Sequence, residues 1–173
     1  MTESLQNNEQ LALAECAALA DLLQERSWRM ATAESCTGGL IAGACTELSG
    51  SSNWFERGWV TYSNEAKSEL LGVDPALITN YGAVSEQVAR AMAVGAIRRA
   101  EGLAQVAVAV TGVAGPTGGS AEKPVGTVWL AWSVQGQLSS ALHHFPGDRR
   151  AVRQATLLQA LRRLRELVQA APA

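Results

Sequence analysis

A hydroxyl, a thiol and two glycines meet in the run Ala33-Glu34-Ser35-Cys36-Thr37-Gly38-Gly39, which follows a short apolar stretch and opens an apolar, helix-like segment from Leu40 to Leu48. Backbone N–H groups at a helix start lack intrahelical partners and point outward, so such a turn can hold an anion or a developing oxyanion beside a nucleophile. Ser35 is the first nucleophile to consider and Cys36 the second. A plainer reading stays open at this level, in which Ser35 or Thr37 only caps the helix. The basic residues add another chemical signal, because of 14 lysines and arginines only Lys67 and Lys123 are lysines. Arginine stays charged at useful pH, whereas a lysine in a tight site can lose its proton and act as a base. Lys67 comes just after Val60-Thr61-Tyr62-Ser63-Asn64, which sets several hydroxyls and an amide at a strand end.

The elements that must position these groups are legible from spacing. Leu11, Leu13, Ala14, Ala17, Ala18, Leu22 and Leu23 recur as one helical face, ending near Glu25-Arg26-Ser27. Trp28 to Thr32 reads as a strand, Thr37 to Leu48 as a helix, Arg57 to Tyr62 as a strand, and Asn64 to Leu71 as a short helix stopped by Gly72. Ser85 caps a longer helix reaching about Ala100, and Ala104 to Val110 is a small apolar run of the kind covered on both faces of a sheet. Val125 to Val134 and Leu138 to Phe145 form an antiparallel pair across Gln135-Gly136-Gln137, and Asp148 caps a final helix to Val168. Its arginines, Arg150, Arg153, Arg162, Arg163 and Arg165, read most simply as a solvated face or an oligomer rim. Alternating helices and strands predict a single three-layer α/β/α domain with a mixed, mainly parallel central sheet. Residues 1–10 are expected as a flexible extension, 11–168 as the domain, and 169–173 as a tail. Ligands gather beyond the carboxyl ends of strands in such sheets, where both glycine loops fall, Thr37-Gly38-Gly39 and Thr111 to Gly119. Neither loop matches a P-loop or a dinucleotide fingerprint.

At 173 residues, 47% hydrophobic and 17% charged, the chain suits one independently folding domain. A net charge of -2 gives no global footprint for nucleic acid. With no leader pattern and no membrane-length apolar run, the expected location is the cytoplasm. Cys16, Cys36 and Cys45 lack paired spacing and are expected as free thiols, and adjacent His143 and His144 would point to opposite faces of a strand, which disfavours a shared metal.

The strings Thr32-Ala33-Glu34-Ser35-Cys36-Thr37-Gly38-Gly39-Leu40, Gly58-Trp59-Val60-Thr61-Tyr62-Ser63-Asn64-Glu65-Ala66-Lys67, Thr111 to Gly119 and Lys123-Pro124-Val125-Gly126-Thr127-Val128 closely resemble the CinA C-terminal family, in order from about Leu11 to Leu167. The molybdopterin-binding-like domain carried by longer members has no counterpart here, so their metal-dependent pyrophosphatase activity is not implied. The resemblance implies hydrolysis of the carboxamide of nicotinamide mononucleotide to nicotinate mononucleotide and ammonia, with no cofactor or metal. On this mapping Ser35 is the nucleophile, Lys67 its general base, and Tyr62 a hydroxyl that moves the proton or positions the pair. Backbone N–H groups from Cys36 through Thr37 and Gly38 to Gly39 would supply the oxyanion hole, and Asn64, Thr111, Gly112 and Gly115 would shape the pocket. The phosphate is expected to meet helix-end N–H groups or an arginine, with Arg149, following a strand and opening the last helix, as the first choice. Two other readings stand beside this one: a thiol hydrolase using Cys36, and a nucleotide-binding or regulatory module, linked to competence or DNA damage, without turnover. The apolar and arginine-rich final helix suggests a homodimer.

Overall fold

The computed structural model describes residues 2–172, with side chains from residue 7. Its elements, in chain order, are α1 (Thr2–Glu25), β1 (Met30–Glu34), α2 (Leu40–Thr46), a single 3-10 turn (Ser51–Asn53), β2 (Phe55–Val60), α3 (Asn64–Leu71), α4 (Pro75–Tyr81), α5 (Glu86–Arg99), β3 (Val106–Gly112), β4 (Thr127–Val134), β5 (Gln137–His144) and α6 (Arg149–Ala170). The strands form one sheet in the order β2-β1-β3-β4-β5. β1 is parallel to both β2 and β3, while β4 is antiparallel to β3 and β5. Four of the five strands therefore run in one direction. The register pairs Glu34 with Val60 on one side and with Val110 on the other, so the chain leaves β1, β2 and β3 at the same edge. β5 ends at that edge too and delivers the start of α6 there.

Side-chain alternation along the strands builds two unlike faces. Val106, Val108 and Val110 of β3 face a core closed by α1, α2 and α6. Ala31, Ala33, Ala107, Ala109 and Ala131 make the opposite face, where α5 lies with Ala89, Ala93 and Ala96. Small residues on both surfaces let that helix approach closely. Gly95 belongs to the same economy of space, since a methyl group built on it would run into the Leu71 carbonyl at the end of α3. Gly95→Ala is therefore expected to destabilise the fold by about 1–3 kcal/mol despite alanine's better helix propensity. A urea titration checks this; a midpoint at or above wild type would contradict it.

Several expectations change. Residues 2–10, within the stretch expected as a flexible extension, are part of the helix, since α1 begins at Thr2. β1 runs to Glu34 rather than stopping near Thr32. α2 begins only at Leu40, because Gly38 and Gly39 adopt left-handed backbone with φ of 61° and 98°. α4 was not read from the sequence, although its signal is present: Asp74 accepts from the Ala76 N–H at 2.9 Å and Pro75 follows at the first helical position. The α6 arginines are more engaged than a solvated face. Arg162 and Arg165 both bind Glu15 on α1, at 3.0 and 2.6 Å, and Arg153 donates to the Thr37 carbonyl at 2.7 Å. Ala171 and Pro172 are held as well, because Arg26 donates to their carbonyls.

Candidate active site

The carboxyl ends of β1, β2 and β3 converge on a recess of about 190 Å³ lined by Ser35, Cys36, Tyr62, Asn64, Lys67, Ala83, Val84, Thr111, Gly112, Ala114 and Arg149. Ser35 follows β1 directly, and its own N–H donates to the Val110 carbonyl of β3 at 3.1 Å, which fixes the nucleophile's backbone to the neighbouring strand. Lys67 reaches the same point from α3, whose first turn is set by Ser63 accepting from the Ala66 N–H at 3.0 Å.

Lys67 is only 1% exposed, and its Nζ lies 3.0 Å from Ser35 Oγ. It also donates to the carbonyls of Thr61 at 2.9 Å and Tyr62 at 3.2 Å, with that of Ser63 at 3.5 Å. A neutral amine has two N–H donors and one lone pair. With its two donors on the close carbonyls, a neutral Lys67 would turn its lone pair to the serine hydroxyl, whereas the ammonium would donate to it. Burial lowers the Lys67 pKa from its ordinary value, opposed by the nearby Cys36. The other lysine is elsewhere, with Lys123 Nζ donating to the Tyr81 carbonyl at 2.9 Å.

Helix capping by Ser35 or Thr37 does not occur. Ser35 Oγ meets Lys67, Thr37 Oγ1 is buried without a partner, and the α2 start is held instead by the Glu34 carboxylate. The turn's donors are also fewer than the sequence suggests. Gly39 N–H is taken by Glu34 and Gly38 N–H donates to the Ser35 carbonyl at 3.0 Å, which leaves Cys36 and Thr37 N–H without partners among the described residues. Cys36 is buried beside Ser35, and burial, with a contribution from the Glu34 charge, pushes its thiol up to about 11. A thiolate nucleophile is disfavoured there.

The remaining expected residues divide into those at the recess and those that shape it from outside. Thr111 and Asn64 line it, and Thr111 Oγ1 donates to the Ala83 carbonyl at 2.8 Å, tying the turn before α5 to the end of β3. Gly115 contributes its carbonyl, which accepts from Arg149 Nη1 at 2.8 Å. Arg149 Nη2 donates to the Tyr62 hydroxyl at 3.1 Å, so this arginine bridges the mouth. Tyr62 is 61% exposed, and its hydroxyl meets Arg149 rather than the Ser35 and Lys67 side chains; only its carbonyl touches Lys67. Thr37, Gly38 and Gly39 form the turn itself and are not part of the recess lining. Sequence reasoning assigned no role to Glu34 or Arg153. A carboxylate at the end of a fully buried strand was the available signal for the first, and nothing in the α6 pattern singled out the second.

His143 stacks on Phe145 with ring centroids 5.2 Å apart, and the three cysteines are free and buried. Among the described residues no group of His, Cys, Asp and Glu is arranged to hold a metal ion, and no helix is long and apolar enough to cross a membrane.

Fold and recess together define an α/β protein with a buried serine–lysine pair at the carboxyl ends of its parallel strands. The chain belongs to the CinA C-terminal domain family, whose family model matches residues 10–168. It is 54% identical over 148 residues to a protein named nicotinamide-nucleotide amidohydrolase PncC from Enterobacter agglomerans, covering 84% of this chain and 89% of that one. The protein of the same name from Escherichia coli (strain K12) is 47% identical over 164 residues, covering 94% and 93%. Among solved structures, the competence damage-inducible protein A from Klebsiella pneumoniae superposes with a TM-score of 0.89 at 37% identity, over 93% of this chain and 99% of that one.

Proposed function

We propose that this chain is an amidase that hydrolyses nicotinamide mononucleotide to nicotinate mononucleotide and ammonia, with Ser35 as nucleophile and Lys67 as general base. The relatives named as nicotinamide-nucleotide amidohydrolases support the reaction. The observation that carries the mechanism is the buried Lys67 Nζ held 3.0 Å from Ser35 Oγ.

Neutral Lys67 takes the Ser35 proton as the oxygen attacks the carboxamide carbon. The oxyanion so formed is met by the Cys36 and Thr37 N–H groups. The carbon–nitrogen bond then breaks, Lys67 returns its proton to the leaving nitrogen, and ammonia departs from a nicotinoyl ester on Ser35. Water, deprotonated by the same lysine, hydrolyses that ester to the acid and restores the serine. The substrate's pyridinium adds a positive charge near Lys67, which disfavours the ammonium further and keeps the base ready.

The phosphate belongs at the mouth. Arg149, Arg150 and Arg153 line one adjoining recess with Leu40 and Gln154, at the start of α6. The arginines farther along α6 are each paired with a glutamate, whereas none of these three has a carboxylate partner among the described residues. Cations at a helix N-terminus oppose the helix dipole, and an anionic ligand would offset that cost. Arg149→Ala is expected to raise the KM for nicotinamide mononucleotide by roughly 10- to 100-fold with a smaller change in kcat, the size of a lost charged hydrogen bond. Ammonia release at varied nucleotide concentration checks it, and an unchanged KM would remove the phosphate role. No ammonia from the wild type at any concentration would favour a binding module without turnover.

A further inference from the structure

Glu34 is fully buried, and no cation pairs with it among the described residues. A carboxylate removed from water is costly unless its oxygens are hydrogen-bonded. Here every bond comes from backbone: Oε2 accepts from the N–H groups of Gly39 at 3.0 Å and Ile41 at 3.1 Å, and Oε1 from Ala42 at 2.8 Å. The acceptor thus reaches across the turn from the strand, into a place where a local cap would normally sit, because Gly39 at the cap position has no side chain.

We propose that Glu34 is a positioning residue for amide hydrolysis, fixing the Ser35-to-Gly39 turn so that the hydroxyl meets Lys67 and the Cys36 and Thr37 N–H groups face the oxyanion. This rests on the amidase reading above. Glu34 and Ser35 are adjacent, so the carboxylate side chain and the nucleophile share one backbone hinge at the end of β1. The β1 end is held from the other side too, by the Thr61 N–H donating to the Glu34 carbonyl at 2.8 Å and Ser35 N–H to Val110. By filling the donors at the α2 start, Glu34 also decides which N–H groups remain free. Arg149 makes no hydrogen bond to Glu34, since its partners are the Gly115 carbonyl and the Tyr62 hydroxyl.

The test is Glu34→Gln. An amide keeps the volume and one acceptor oxygen but turns an NH2 toward N–H groups that need an acceptor, so the turn loosens while the strand stays packed. The expected result is a kcat lower by about 100-fold, the usual consequence of an ångström-scale misplacement, with KM within about twofold. Amide hydrogen exchange at Gly39, Ile41 and Ala42 should accelerate in the same variant. If Glu34→Gln does not fold, Glu34→Asp, whose oxygens withdraw by one methylene, is measured the same way. Wild-type kcat in a folded variant overturns the proposal, even with a lowered melting temperature, since that is a structural cap alone. Failure of both variants to fold overturns it likewise. A wild type without turnover sinks the amidase reading itself and the proposal with it, and is told apart by the wild-type control alone.

Discussion

Ser35→Ala should reduce ammonia release from nicotinamide mononucleotide by about 10⁴- to 10⁶-fold, the scale seen when a covalent nucleophile is removed. Its thermal unfolding should stay close to wild type, because the hydroxyl contributes only its contact with Lys67 in the side-chain hydrogen bonding of the turn. The backbone bond from Ser35 N–H to Val110 survives the substitution, so the turn keeps its place. Cys36→Ala is the matched control. Its thiol is buried and held protonated, so folded Cys36→Ala should retain turnover within a few fold of wild type. Loss confined to the cysteine variant would move the nucleophile to sulfur.

Lys67→Met should lower kcat/KM by at least about 10²- to 10⁴-fold, the usual worth of a general base, and should also erase the acidic limb of the pH profile. In the wild type kcat/KM is expected to rise with pH as Lys67 loses its proton, with a midpoint below the ordinary lysine value because burial disfavours the ammonium. The same shift has a consequence for stability. Between the folded and the unfolded lysine pKa the unfolded chain binds more protons, so the stability of the wild type rises with pH across that window and is lowest below it. Methionine has nothing to titrate, so the variant lacks this rise. Kinetic profiles and denaturant titrations on the same pair of proteins check both statements. A Lys67→Met enzyme with a wild-type acidic limb would show that another group is the base.

Much of this arrangement is legible in the sequence, and the reasons are local. Ser85 and Asp148 announce helix starts by side-chain caps, and the small apolar run ending at Val110 announces a central strand. The parallel ends of β1, β2 and β3 follow from that alternation and put the two glycine loops at one edge. What was not readable depended on contacts between distant segments. The glycines at 38 and 39 looked like part of a helix because helical spacing continued past them, and only the left-handed backbone separates them from α2. Tyr62 illustrates a different limit: its place in the chain puts its backbone against Lys67, while the direction of its hydroxyl is decided by Arg149, 87 residues later. Glu34 differs again, since the N–H groups of Gly39, Ile41 and Ala42 that satisfy it are close in sequence, and it is the left-handed turn at Gly38 and Gly39 that brings them to its carboxylate.

The partition of product between water and hydroxylamine tests the central claim most directly. A nicotinoyl ester on Ser35 must be open to any small nucleophile that water can replace, so wild-type enzyme turning over nicotinamide mononucleotide in hydroxylamine should yield the hydroxamate beside the acid. The hydroxamate share should grow with hydroxylamine concentration, and Ser35→Ala should produce neither. Ammonia release that continues with only nicotinate mononucleotide formed, at every hydroxylamine concentration, would contradict the account and point to direct attack by water.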